Sequence, residues 1–188
     1  MSHRTALPFF VLGFGLMLLG TGLGIWLLSS QSEGNTVSPT TTRSCVQPAP
    51  VSFEAPQLEL ETLEGRSFRL EDYRGSTVLL NAWATWCPPC IAELPDLEAY
   101  YKQHKDEGFT IIGVNIGEPV SVVEKFLASN AISYPIWLDP HEQTLRSLNT
   151  ISLPYSILVD QDGHVRLAWS GATCLEKLEA AVTPILRQ

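Results

Sequence analysis

Past residue 50 the chain alternates between short apolar runs and segments whose apolar positions recur every three or four residues. Residues 57–62 alternate apolar and polar, Glu64-Gly65 is a turn, and residues 67–70 resume the alternation, which predicts a hairpin. Residues 77–83 are β-branched and then apolar, the pattern of a buried strand. After them Ile91, Leu94, Leu97 and Tyr101 fall on one face of a helix, with Pro95 as a kink and Gly108 closing the helical region. Residues 110–116 form a second buried run. Residues 121–130 predict a helix with Val122, Val123, Phe126 and Leu127 inward, followed by a short strand at 134–138 and a short helix at 141–148. Residues 155–159 and 165–169 are strands joined by the turn signal Asp160-Gln161-Asp162-Gly163. Thr173-Cys174-Leu175-Glu176 reads as a capping box opening a last helix to about residue 186. Strands alternating with helices, then a hairpin and a closing helix, predict an α/β sandwich.

The first fifty residues read differently. Residues 7–30 carry no charge and are mostly Leu, Phe, Gly, Val or Ile. That length crosses a bilayer core, which takes about 20 residues. A cleaved signal has an apolar core of about 7–15 residues and a small-residue cleavage site. Ser30-Gln31-Ser32 matches such a site poorly, so an uncleaved transmembrane anchor is expected at 7–30. Arg4 precedes the span and no base follows until Arg43, which places residues 1–6 in the cytoplasm and the remainder outside, on the periplasmic side. Residues 31–50 are rich in Ser, Thr, Pro, Gly and Gln and read as a flexible linker. One domain of ordinary size remains, at 51–188. The chain carries 20 acidic and 12 basic residues, a net charge of −8, with no basic patch. That argues against a nucleic-acid partner.

The chemistry is concentrated in Trp86-Cys87-Pro88-Pro89-Cys90, at the junction of the central strand and the following helix. Two thiols three positions apart can close a reversible disulfide and move two electrons by exchange. Cys87 takes the N-cap and Cys90 the first turn. Unpaired N–H groups and the partial positive charge of a helix start stabilise a thiolate there. Cys87 is therefore the expected nucleophile and Cys90 the resolving thiol. Pro88 and Pro89 fit a first turn but remove two donors that could face the sulfur, leaving the Cys90 N–H. A less stabilised thiolate leaves the disulfide relatively favoured, so the reduced pair is expected to donate electrons. The competing reading, a zinc half-site, would need two more ligands. His3, His104, His141 and His164 are scattered, and Cys45 and Cys174 are far apart, so no metal is expected.

Trp86-Cys87-Pro88-Pro89-Cys90 with Glu93 and Pro95 after it, and with Pro154 ahead of a strand downstream, resembles the TlpA/ResA/CcmG group of membrane-anchored, thioredoxin-fold thiol–disulfide oxidoreductases. The resemblance covers the anchor and the globular domain, including the strand–helix segment at 110–130. It implies a thioredoxin-like three-layer sandwich with an N-terminal β-hairpin and a central strand–helix insertion, preceded by one transmembrane helix. It also implies that Cys87 and Cys90 are the redox pair, and that Pro154 is a cis-proline facing the disulfide and presenting the Leu153 backbone to a client's extended chain. Glu93 matches an acidic residue near the pair, one turn past Cys90. It either exchanges a proton with the resolving thiol or is a solvated helix carboxylate. Asn81 stands where thioredoxin has a buried acid and cannot titrate. Tyr155 follows the proline where the group commonly has Thr. Trp83 and Trp86 are read as structural, with Trp86 also able to cover the site.

The implied activity is protein disulfide reduction without a cofactor, with clients such as apocytochrome c or copper-delivery proteins and a membrane thiol carrier as electron donor. Two other readings remain open. A thiol peroxidase would want a Thr three residues before its nucleophile, whereas Thr85 stands two before Cys87. A copper-binding chaperone would use the two thiolates as soft ligands, and no Met-rich run supports it. Cys45 and Cys174 are either paired, as an oxidising compartment favours, or two free thiols, with Cys174 at a helix start.

Overall fold

A computed structural model of the chain describes residues 44–187. The expected anchor at 7–30 and the cytoplasmic residues 1–6 lie outside the described residues. Among the described residues no helix is long and apolar enough to cross a membrane. In chain order the elements are β1 (Ala49–Glu54), β2 (Glu59–Thr62), β3 (Ser67–Arg69), a 3-10 turn (Leu70–Tyr73), β4 (Thr77–Trp83) and α1 (Pro88–His104). They continue with β5 (Phe109–Ile116), α2 (Val120–Leu127), β6 (Ile136–Asp139), α3 (Gln143–Ser147), β7 (Tyr155–Val159), β8 (His164–Ser170), α4 (Leu175–Ala181) and α5 (Thr183–Leu186).

The strands form one sheet in the order β1-β8-β7-β4-β5-β6-β2-β3. β4 pairs in parallel with β5, and β5 with β6, whereas β7 runs antiparallel to β4. All seven residues of β4 are buried, because helices and loops cover both faces of the central sheet. Alternation then sorts its side chains. Leu79 and Trp83 join the core with Leu94, Leu97 and Tyr100 of α1. Val78, Leu80 and Ala82 join the opposite core with Trp137 and Leu145. Asn81 has the parity of Leu79 and Trp83, so it points at α1. Trp83 is structural: it packs on Phe126 at 5.3 Å, and Gly113 leaves the space that its indole fills.

Several expectations need correction. An unexpected edge strand, β1, pairs antiparallel with β8. Within the stretch read as linker, residues 44–50 are joined to the domain: Val46 N–H donates to the Ala172 carbonyl, and β1 starts at Ala49. The capping box at 173–176 does not form. Cys174 is the N-cap without a side-chain cap bond, and the Thr173 hydroxyl donates instead to the Val46 carbonyl. The last helix is divided, with Pro184 in the first turn of α5. In α2, Val123 is buried but Val122 is 41 % exposed. In α1, Tyr100 is the core tyrosine and Tyr101 only flanks the core.

His104, at the end of α1, bridges to α4. Its Nδ1 lies 3.0 Å from Glu107 and its Nε2 3.1 Å from Glu179, with the Tyr100 ring beside it at 4.3 Å, tilted by 36°. Burial pulls the imidazole's pKa down, but the two carboxylates outweigh burial and hold it above the ordinary 6.5. A folded-state pKa raised in this way stabilises the fold fully below the unfolded value and ceases to do so as pH rises through the folded value. His104→Gln will therefore lower the thermal midpoint most near pH 6, and the gap to wild type will shrink toward pH 9. The carboxylates are partly exposed, so the loss is about 1 kcal/mol. A gap that stays constant or widens with pH would rule this out.

Candidate active site

Cys87 is held between β4 and α1. The chain leaves the sheet after Trp83, turns through Ala84-Thr85-Trp86, and caps α1 with Cys87 in an extended conformation. Pro88 and Pro89 follow as the first helical residues. The Cys90 N–H donates to Cys87 Sγ at 3.3 Å, the one donor that the two prolines leave in that turn. The two cysteines are bonded, with Cα atoms 5.3 Å apart. They are not equivalent. Cys90 is wholly buried, while Cys87 keeps 4 % of its surface. A disulfide partner approaching from solvent meets Cys87 first.

Glu93 lies one turn past Cys90 on the same buried face of α1. It is fully buried, which overturns the reading as a solvated helix carboxylate. Asn81 Nδ2 donates to its Oε1 at 2.9 Å, and the Thr173 backbone N–H donates to its Oε2 at 2.9 Å. Asn81 Nδ2 also reaches the Ser156 hydroxyl of β7, at 2.9 Å. The non-titrating residue of the central strand thus orients the titratable residue of the helix. Glu93 is thus a buried carboxyl, one helical turn past Cys90, held by one donor on each oxygen.

The Leu153–Pro154 peptide bond is cis. Pro154 is buried, and half-buried Leu153, two residues before β7, packs against both cores. The pairing of Ala82 with Tyr155 puts this bond at the end of the sheet where β4 gives way to Cys87. Tyr155 packs on the core, partly buried, beside that bond. Trp86 is 65 % exposed, so it is no part of the core, and Pro88 and Pro89 are exposed beside it.

A further residue has no counterpart in the sequence reading. Glu118, in the loop after β5, is nearly buried beneath the 84–86 turn. Its carboxylate accepts the Thr85 N–H at 2.7 Å, the Thr85 hydroxyl, and Asn115 Nδ2 at 2.8 Å. It fixes the segment that delivers Trp86 and Cys87. No short sequence pattern marks it; the one hint is an acid two residues past the end of a largely apolar, buried strand. Elsewhere, Cys45 and Cys174 are bonded across 129 positions, with Cα atoms 5.6 Å apart. Among the described residues no cluster of three or more His, Cys, Asp or Glu could hold a metal ion.

The AhpC/TSA family matches residues 51–168, from β1 into β8. The thiol-disulfide oxidoreductase ResA of Geobacillus kaustophilus is 40 % identical over 129 residues, covering 69 % of this chain and 74 % of that protein. The chain belongs to the AhpC/TSA family, as a ResA-like thiol–disulfide oxidoreductase. Solved structures agree in fold. A candidate thiol:disulfide interchange protein DsbE from Chlorobium tepidum aligns with a TM-score of 0.66 at 30 % identity, over 76 % of this chain and 99 % of that one. A second thiol:disulfide interchange protein of the thioredoxin family from Chlorobium tepidum TLS aligns with a TM-score of 0.63 at 26 % identity, again over 76 % and 99 %. The α/β sandwich is therefore thioredoxin-like. The chain is a disulfide oxidoreductase, and Cys87–Cys90 is its CxxC pair.

Proposed function

We propose that this ResA-like chain reduces disulfides in client proteins outside the cytoplasm, held at the membrane by residues 7–30. The thiolate of reduced Cys87 attacks one sulfur of a client disulfide, and the other client sulfur leaves and takes up a proton. The Cys90 thiol then loses its proton, with Glu93 as the acceptor, and attacks Cys87 Sγ. The client departs as a dithiol, and the chain is left with the Cys87–Cys90 disulfide. Leu153 and Pro154 present backbone to the client, and Trp86, Pro88 and Pro89 form the exposed rim it meets. A membrane thiol carrier restores the dithiol. Clients are proteins whose paired cysteines must be reduced before they take a prosthetic group, such as apocytochrome c or a copper-delivery protein.

The observation that carries this reading is the asymmetry of the pair: Cys87 keeps 4 % of its surface and has a single N–H donor on its sulfur, and Cys90 is wholly buried. The bonded Cys45 and Cys174 support an oxidising compartment. The sparse donation to Cys87 Sγ supports a reducing role. Equilibration with thiol–disulfide buffers should give a potential near thioredoxin's, about −270 mV, and well below the −200 mV region. A potential near the about −120 mV of strong periplasmic oxidants would reverse the assigned direction.

A further inference from the structure

The loop that precedes α4 is fastened at Gly171, whose N–H donates to the Pro154 carbonyl at 2.8 Å, and beyond it by two residues near the start of the described chain. Val46 N–H donates to the Ala172 carbonyl at 2.8 Å. The Thr173 hydroxyl donates to the Val46 carbonyl at 3.0 Å. Cys45 is bonded to Cys174. Residues 172, 173 and 174 are thus each tied to residues 45–46. Gly171, with a φ of +101°, admits the close approach, since a Cβ there would lie 3.0 Å from Val46 Cγ2. At the centre of these ties is one backbone group. The N–H of Thr173, a fully buried residue, donates to Glu93 Oε2 at 2.9 Å.

The position of that N–H is not set by α4, whose N-cap is the following residue and makes no side-chain cap bond. Nor does the sheet set it, because β8 ends at Ser170. Gly171 is held by the Pro154 carbonyl, and the ties made on residues 172–174 from outside α4, apart from Glu93 itself, come from residues 45–46. We propose that the Cys45–Cys174 disulfide is a positioning element of the redox site: it holds the Thr173 N–H on the Glu93 carboxyl and so sets how readily Glu93 exchanges a proton with Cys90. Cys45, Cys174 and Thr173 are positioning residues, acting through Glu93. The inference rests on the proton-exchanging role given to Glu93 above.

A donor on a carboxyl favours its charged form, and a charged carboxylate beside a thiol disfavours the thiolate. Loosening the donor, or replacing the carboxyl, should therefore ease thiolate formation at the pair. The test uses the full chain with the Cys87–Cys90 pair reduced, and reads the pH midpoint of Cys87 alkylation by iodoacetamide. Peptide mass mapping reports the state of the Cys45–Cys174 bond in each sample. Glu93→Gln should move the midpoint toward acid. Cys45→Ser with Cys174→Ser should move it the same way by about half a pH unit, a threefold change in proton affinity. In the Glu93→Gln background the two serines should add nothing, since the effect travels through the carboxyl.

Thr173→Val keeps the N–H and the disulfide but removes one tie, and should give a smaller shift of the same sign. It keeps the test alive should the serine variant fold poorly. A lower thermal midpoint with an unmoved alkylation profile in the serine and valine variants would reduce the disulfide to a structural staple. An equal shift with and without Glu93 would show a route that bypasses the carboxyl and overturn the inference. If Glu93→Gln itself leaves the profile unmoved, the role of Glu93 falls, and the inference with it.

Discussion

A Cys90→Ala variant will accumulate a covalent adduct with its client and lose multiple turnover by roughly 10^3-fold or more, whereas Cys87→Ala will form no adduct at all. The asymmetry follows from the packing. Cys87 caps α1 and keeps the pair's only exposed area, 4 % of its own surface, where it meets an incoming disulfide, while Cys90 is wholly buried. The first exchange step needs only Cys87. Release of the client needs Cys90, which stands within bonding reach of Cys87 already. Removing the resolving thiol thus stalls the cycle at the mixed disulfide. Non-reducing electrophoresis of cell extracts, followed by mass spectrometry of the shifted bands, reads the adduct and identifies the client. Adducts carried through Cys90 in the Cys87→Ala protein would reverse the two roles. Rapid peroxide turnover in place of protein adducts would favour the thiol peroxidase reading instead.

The parts of this site that were legible in the sequence are those whose cause is local. The run at 77–83 is apolar because both faces of β4 are covered, and the two prolines after Cys87 mark a first helical turn. What escaped has a long-range cause. β1 is mostly exposed, contains Pro50 and gains its ladder only from β8, more than a hundred positions later. The buried face of α1 holds Glu93, Glu98 and His104 among its apolar residues. Each is satisfied by a residue distant in sequence: Thr173, Ser133 and Glu179. These polar residues blur the helical stripe, which is why the stripe pointed to Tyr101 instead of Tyr100. The capping box at 173–176 failed for a related reason. Thr173 has tertiary partners for both its N–H and its hydroxyl, and they outcompete the local motif.

Glu118→Ala should cost both stability and rate, while Glu118→Gln should cost little. The alanine orphans three donors that converge on the carboxylate: the Thr85 N–H, the Thr85 hydroxyl and Asn115 Nδ2. A buried donor left unpaired costs about 1–3 kcal/mol. Thr85 is partly exposed and water can serve it, so the expected loss is about 2–4 kcal/mol rather than the full sum. The 84–86 turn then loses its anchor, and Cys87 loses its fixed approach to the client. A misplacement of about 1 Å is worth up to about 10²-fold in rate. Glutamine can be absorbed, because the Thr85 N–H and Asn115 Nδ2 converge on one carboxylate oxygen, Oε2. The Gln oxygen takes that place and keeps both donors, while the Gln N–H2 takes the place of Oε1, where the Thr85 hydroxyl turns to accept from it. Thermal melts and insulin-disulfide reduction rates, compared at equal folded fraction, separate the two effects. Wild-type behaviour of Glu118→Ala in both would remove Glu118 from any part in holding the redox turn. Equal damage from alanine and glutamine would mean that the negative charge, and not the hydrogen-bond geometry, is what the turn requires.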